Sequence, residues 1–456
     1  MRCFTRSSKK LVAVASAMLA AGSLLCNVAH ADTVLKLAYG SEYVMVTPEL
    51  TKKFWGDIKA DFEKSHPGVT VQLVPIPGGF DDIVTKVSMS YGNPSAAPDV
   101  AQLPAQEMAQ WAASGYLLPL NQYLANAAWW KDVPDAVKQE STAGKDVIGV
   151  SQGVNTSGLL YDRQVFAKAG LPADWKPKNW QDVLDAARKI KKSDPGVWPL
   201  WAITGPAGGT SALVLGAANL LMASSDPTIK DASGKWAVDT KGIREVLNFY
   251  RQASAEGLLA PSSLILNANS PALATPEMPK HHIGIALVGN YVPAAWSKSM
   301  CSPCWPDAAK SVGFAPLPTV AGGGVGYASA FGGWDVSIYK KTAHPDLAWQ
   351  LVQLIVGKQH AIDGANWTGF VPAQKSYWTD KQYTELAPPY QEQFGKLLAV
   401  AKSVPADPDY PVWAHAFEAA TEALVLKPTM SVDDAVRMMK SELSNQIGDD
   451  KLMAAR

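Results

Sequence analysis

Apolar and polar positions change period repeatedly along this chain. Val34, Leu35 and Leu37 pattern Val34 to Ala38 as a strand, which runs into Gly40-Ser41-Glu42-Tyr43. Leu50, Phe54, Ile58 and Phe62 then recur every four residues, with Trp55 widening the apolar face, and this is the helical period. His66-Pro67-Gly68 ends that helix, and Val69, Val71 and Leu73 alternate as a second strand before Pro75. Strand, helix, strand is the unit of an α/β layered fold. Asn179 is placed to cap a helix carrying Val183, Leu184, Ala187 and Ile190; another begins near Thr240 with Ile243, Val246, Leu247 and Tyr250. Pro345 opens a helix with Leu347, Leu351, Leu354 and Ile355, and Ser431 with Asp434 resembles a capping box for the last one, with Ala435, Met438, Met439 and Leu443. These apolar residues read as core. The glycine-rich turns Gly205 to Gly209 and Gly322 to Gly326 separate elements without forming a long linker, so two lobes would be joined by several short crossings.

The amino terminus follows a different pattern. Arg2, Arg6, Lys9 and Lys10 precede an uncharged stretch from Leu11 to Val28, and Ala29-His30-Ala31 precedes Asp32. A basic start, a short apolar centre and small residues before a cut make a secretory signal peptide over residues 1–31, with cleavage expected after Ala31. A single-span anchor and a lipid anchor on Cys26 are the alternatives; Ser23-Leu24-Leu25 lacks the small residue that lipid modification normally has just before the cysteine. Without the leader's four basic residues the chain has 37 basic against 41 acidic side chains, a formal charge of −4. That mild value argues against nucleic acid as a partner. The remaining length exceeds the roughly 250 to 300 residues at which single cores stop growing, so two domains are expected.

Once the leader is gone, Cys301 and Cys304 are the remaining cysteines, in Cys301-Ser302-Pro303-Cys304. In an oxidising compartment they are expected to form a small structural disulfide. A redox pair would sit where a strand leads into a helix, and a zinc site would need two more ligands, with His281 and His282 the histidines nearest in sequence.

Motifs for catalysis are missing. No His-Glu-x-x-His, phosphate cradle or Gly-x-Ser-x-Gly elbow is present, and the glycines at 322–326 lead into an apolar strand rather than a helix. Adjacent acids at Asp81-Asp82, Asp433-Asp434 and Asp449-Asp450 leave open an exported carbohydrate-active enzyme, which needs two carboxylates about 5 to 9 Å apart. No metal or cofactor is expected. Sixteen Trp are present, several among polar or glycine neighbours: Gly333-Trp334-Asp335, Asn366-Trp367-Thr368-Gly369 and Tyr410-Pro411-Val412-Trp413. Flat aromatic faces bordered by hydrogen-bonding groups suit sugar rings, which carry an apolar C–H face and a belt of hydroxyls. Core packing is the competing reading for each of them.

Five segments, in order, resemble the extracellular solute-binding proteins of carbohydrate ABC transporters, the group that includes maltose-binding and glycerol-3-phosphate-binding proteins. They are Pro98-Asp99-Val100 through Leu117-Leu118-Pro119-Leu120; Thr156-Ser157-Gly158-Leu159-Leu160-Tyr161-Asp162 through Trp180; Ile285 to Tyr291; Gly332-Gly333-Trp334 through His344-Pro345; and Gly369-Phe370-Val371-Pro372. The resemblance implies a two-lobed periplasmic binding protein fold of the α/β class. One lobe would take 32–154 and 336–374, the other 155–335 and 375–456. It implies closure on a ligand, delivery to an inner-membrane permease, and a monomer.

By position, the resemblance places ligand contacts at Gln106, Glu107, Asn155, Tyr291, Gly333, Trp334 and Trp413, with Glu42, Tyr43, Gly205 and Trp367 as further candidates. The Cys301 to Cys304 loop and the run from Leu264 to Pro279 depart from the family pattern. Amides and aromatics outnumber basic groups at these positions, which favours a neutral mono- or oligosaccharide over glycerol-3-phosphate or another polyol. On this reading Trp334→Ala and Trp413→Ala each weaken ligand binding at least tenfold while moving the melting temperature by a few degrees.

Overall fold

The computed structural model describes residues 33–42 and 47–454. The expected leader, its cleavage after Ala31, Cys26 and Tyr43 lie outside these residues.

Strand β1 (Thr33–Gly40) pairs in parallel with β2 (Val69–Ile76), from Thr33 opposite Val69 to Gly40 opposite Ile76. Helix α1 (Pro48–Ser65) joins them. Thr47 Oγ1 accepts a hydrogen bond from the Leu50 N–H at 3.3 Å, Pro48 sits in the first turn, and the helix buries Trp55, Ile58 and Phe62. Pro75 lies inside β2, tolerated because β2 is the outermost strand and its missing N–H breaks no interior ladder.

The chain continues through α2 (Phe80–Tyr91), β3 (Val100–Pro104), α3 (Asp135–Glu140) and β4 (Val150–Asp162). Then come α4 (Trp180–Ser193), β5 (Trp198–Trp201), α5 (Gly209–Leu215) and α6 (Lys241–Ala255). Asn179 and Thr240 cap α4 and α6, accepting from the N–H groups of Asp182 at 2.9 Å and Ile243 at 3.2 Å. Next are β6 (Ile283–Gly289), α7 (Tyr291–Ala295), β7 (Val312–Ala315), β8 (Ser329–Ile338), α8 (Pro345–Ile355) and α9 (Lys358–Thr368). The last elements are α10 (Lys381–Leu386), β9 (Ala401–Lys402), α11 (Tyr410–Leu426) and α12 (Val432–Ile447), the last capped by Ser431.

One sheet path runs β2-β1-β3-β8-β4-β6-β5, with β7 against β4 and β9 against β8. Two strands carry it from one lobe to the other. β4 pairs with β8 up to Thr156 and with β6 from Ser157 onward. β8 runs antiparallel to both β3 and β4.

Apolar side chains divide accordingly. Leu35, Leu37, Ile58, Val336, Val352 and Ile355 fill one face of the first lobe's sheet, and Ala38, Ile83, Leu103, Met108 and Trp111 the other. A larger core between α4, α6, α11 and β6 holds the second lobe. Val154, Phe331, Val371 and Ala373 cluster where the strands cross. Beyond residue 374 the chain stays on the first lobe for a stretch, since Tyr383 of α10 packs with Ile362 and Ala365 of α9.

Cys301 and Cys304 are joined by a disulfide in the loop after α7. Among the described residues no helix is long and apolar enough to cross a membrane, and no cluster of three His, Cys, Asp or Glu is arranged to hold a metal ion.

Candidate functional site

The carboxyl end of β3 turns through one 3₁₀ turn, Ala105–Glu107, that carries Gln106 and Glu107 out of the sheet toward the second lobe. Both are buried. Thr210 Oγ1, on α5 of the other lobe, donates to Glu107 Oε1 at 2.6 Å, and Gln110 Nε2 donates to Glu107 Oε2. The first of these bonds spans the cleft between the lobes. Helix α5 reaches that position because the turn before it is rich in glycine: Gly205 has φ +95° and Gly209 φ +60°, conformations that side-chain-bearing residues rarely adopt. A Cβ on Gly205 would lie 3.0 Å from Glu422 Oε2, so this residue presents bare backbone to α11.

Asn155 on β4 stands directly opposite Gly332 on β8, so its side chain shares a face with the space above Gly332. A Cβ placed on Gly332 would be 3.7 Å from Gln106 Oε1, 3.7 Å from Glu140 Oε1 and 3.1 Å from Val214 Cγ1 of α5. Oxygens from two first-lobe segments and a methyl from the second lobe therefore converge on one small volume. Gln106 Oε1, Asn155 Oδ1 and both oxygens of Glu140 have no hydrogen-bond partner in the protein.

The electrostatics of this cleft are acidic. Burial, and then the charge of Asp335, hold the Glu140 carboxyl well above the usual carboxylate range. Burial pushes the Asp335 carboxyl up to about 7, with the Ser141 hydroxyl acting in the opposite direction. The Tyr410 hydroxyl is held above its ordinary range by burial first and then by the nearby carboxylates of Glu418, Glu107 and Glu140. Among the described residues no Lys or Arg is buried.

A second cavity lies within the first lobe. This recess is bordered by Phe54 of α1, Trp334 of β8, and Trp367 and His360 of α9. Its polar groups are paired: Gln102 Nε2 donates to Gln152 Oε1 at 2.8 Å, and His360 Nε2 lies 3.2 Å from Asp61 Oδ2. Trp367 is half-buried, edge-on to Phe54 at 5.5 Å and beneath Lys53 Nζ at 5.7 Å. Trp334 is edge-on to Phe80 at 6.0 Å.

The structure thus brings Gln106, Glu107 and Asn155 together and sets Trp334 and Trp367 around the separate recess. Glu42 is exposed at the end of β1, accepting from the Gly78 N–H at 3.2 Å. Tyr291 is buried in the second lobe's core at the head of α7.

One assignment is corrected. Trp413 is not a stacking face for a ligand. It is fully buried, its Nε1 donates to the Ala237 carbonyl at 2.6 Å, and its ring packs on Trp236, Tyr410 and Phe417. Gly333 lies at the close approach of two strands. A Cβ there would come within 2.4 Å of the Gly153 carbonyl, so glycine permits the close approach of β8 to β4.

Glu140, Asp335, Tyr410 and Glu418, the further ionisable groups whose fields meet near Glu107, were missed. The one available signal was Glu418, an acid in the apolar helical run Ala414 to Ala420 and eight residues after Tyr410, hence on the same face.

A model of the family described as bacterial extracellular solute-binding protein matches residues 47–362. The chain is 29% identical over 200 residues to a putative ABC transporter periplasmic-binding protein, YcjN, of Escherichia coli K12, an alignment covering 43% of this chain and 44% of that one. It therefore spans less than half the length of that curated relative. Among solved structures, a maltose-bound MalE3 of T. maritima superposes with a TM-score of 0.76 at 17% identity, covering 91% of this chain and 100% of that one. An ABC transporter solute-binding protein of Thermotoga lettingae bound to α-D-tagatose gives 0.74 at 20%, covering 91% and 99%. These likenesses establish the two-lobed fold.

Proposed function

The chain belongs to the family of bacterial extracellular solute-binding proteins, and from that premise we propose that it is the substrate-binding component of an ABC uptake transporter that closes two lobes around a carbohydrate. The observation that carries this reading is the set of buried acceptors over Gly332. Gln106 Oε1, Asn155 Oδ1 and the Glu140 carboxyl oxygens lack protein partners, and each such buried group costs roughly 1–3 kcal/mol until something donates to it. Sugar hydroxyls are donors of the right kind. Because Gln106 and Glu140 come from the first lobe, Thr210 and Val214 from the second, and Asn155 from the strand that crosses between them, a ligand touches both sides at once only in the closed form, and its binding favours that form.

Within this reading the ligand contacts are Gln106, Glu107 and Asn155, joined by Glu140 and Tyr410. The lobes take residues 32–154 with 336–374 and 155–335 with most of 375–456, a division supported by separate apolar clusters, with the segment around Tyr383 kept on the first lobe by its packing on Ile362 and Ala365. The basic, apolar and small-residue pattern of the first 31 residues supports export to the periplasm with cleavage after Ala31. The mature protein acts as a monomer, hands its ligand unchanged to an inner-membrane permease, and catalyses no step. An anionic solute such as glycerol-3-phosphate is disfavoured, since a phosphate among Glu107, Glu140 and Glu418 would meet like charge without a buried cation. A polyol is the second reading, favoured by the small volume over Gly332.

Tryptophan fluorescence and thermal shift of the chain from Asp32 onward, against neutral sugars, amino sugars, polyols, glycerol phosphates and amino acids, test the proposal. A saturable response to carbohydrate, with stabilisation growing as RT ln(1 + [L]/Kd), supports it. A response confined to phosphates or amino acids overturns the ligand class.

A further inference from the structure

The cleft over Gly332 has more acceptors than a neutral sugar needs. Glu140 is 3% exposed with neither carboxyl oxygen hydrogen-bonded, and Asp335 beside it is fully buried. Gln106 and Asn155, each 7% exposed, turn further unpartnered oxygens toward the same volume. Buried carboxyls are ordinarily offset by a cation. The recorded ion pairs of Lys, Arg and His use other acids, and among the described residues no Lys or Arg is buried.

We propose that the ligand carries a protonated amine, so that the physiological solute is an aminated carbohydrate with its ammonium seated between Glu140 and Gln106. This rests on the carbohydrate-binding reading above and specifies it. An ammonium offers three donors and no acceptor, matching a site of oxygens, whereas each hydroxyl brings lone pairs that the site does not need. The cation also supplies the charge that the Glu140 and Asp335 pair lacks. Glu107 and Glu418 act on the Tyr410 hydroxyl together with Glu140 and add to the negative field. Burial holds the Glu140 carboxyl well above its ordinary range, and a bound ammonium acts in the opposite direction, favouring the ionised carboxylate and the release of a proton.

The test uses matched sets of glucose, N-acetylglucosamine and glucosamine, each as monomer and as β-1,4-linked dimer, titrated calorimetrically into the mature protein in two buffers of different ionisation enthalpy. The expected result is glucosamine forms binding at least tenfold tighter than both counterparts, with net proton release, and with that preference collapsing in Glu140→Gln. Should Glu140→Gln fail to fold, the wild-type proton release and selectivity decide alone. Equal affinities, or tighter binding of a neutral form without proton release, overturn the aminated ligand and leave the carbohydrate reading standing. Silence toward every carbohydrate, here and in the broader panel, overturns both.

Discussion

The acid-bordered cleft and the aromatic recess share one strand. Gly332 of β8 floors the first and Trp334, two residues on, borders the second. By sequence the recess is the more attractive, with tryptophans and phenylalanines that look built for a sugar ring. Yet its polar groups already pair, Gln102 with Gln152 and His360 with Asp61. In the cleft the acceptors over Gly332 lack partners. Paired groups gain little from a ligand and unpaired buried ones gain much, so hydrogen-bond satisfaction separates the two cavities better than aromatic content does.

The largest effect should come from a tryptophan belonging to neither cavity. Trp413→Ala removes a fully buried ring and is expected to cost about 3–5 kcal/mol, lowering the melting temperature by roughly 10 °C. A melting curve within a few degrees of wild type, together with tenfold weaker ligand binding, would return Trp413 to the site.

Next is the pH response of the cleft. Burial pushes the Asp335 carboxyl up to about 7, against an ordinary value of 3.8. Between these values the folded protein keeps a proton that the unfolded chain has released, so stability falls as pH rises through this window and is fully reduced above it. The loss is up to about 4 kcal/mol at 1.36 kcal/mol per unit. Denaturant unfolding at pH 5 and pH 8 should show it, and Asp335→Asn should flatten it; an equally steep decline in Asp335→Asn would assign it elsewhere.

Gly332→Ala sets a methyl 3.1 Å from Val214 Cγ1 and 3.7 Å from the two oxygens. Ligand affinity is expected to fall about tenfold, the equivalent of 1.4 kcal/mol, with the unliganded melting temperature within about 2 °C, as for a non-core change. Smallest is Trp367→Ala, expected to change affinity less than about threefold because single surface contacts away from a hot spot contribute little. A tenfold loss there would extend the ligand into the recess and erase the distinction between the two cavities.

Much of the fold was legible because it is locally encoded. The four-residue period of α1 and the caps at Asn179, Thr240 and Ser431 each depend on a few neighbouring residues, and each stands where its pattern placed it. The aromatic segments misled for an equally local reason. Tyr410-Pro411-Val412-Trp413 reads as a turn because of its proline, but Pro411 occupies the first turn of α11, the one helical position where proline fits, and Trp413 then faces inward above Phe417. Likewise Asn366-Trp367-Thr368-Gly369 is the end of α9, closed by Gly369 at φ +77°.

The sequence by itself determined the α/β alternation, the capped helices and, through ordered resemblance, the positions of Gln106, Glu107 and Asn155. Only the tertiary structure decided that Asp335 lies buried beside Glu140, that Tyr410 comes near Glu107 and Glu140, that Thr210 reaches Glu107 across the cleft, and that Trp413 belongs to the core. Periodicity and capping are set by residues within a turn or two of one another. Desolvation and hydrogen-bond satisfaction are set by whatever the crossings of β4 and β8 bring together from segments more than a hundred residues apart.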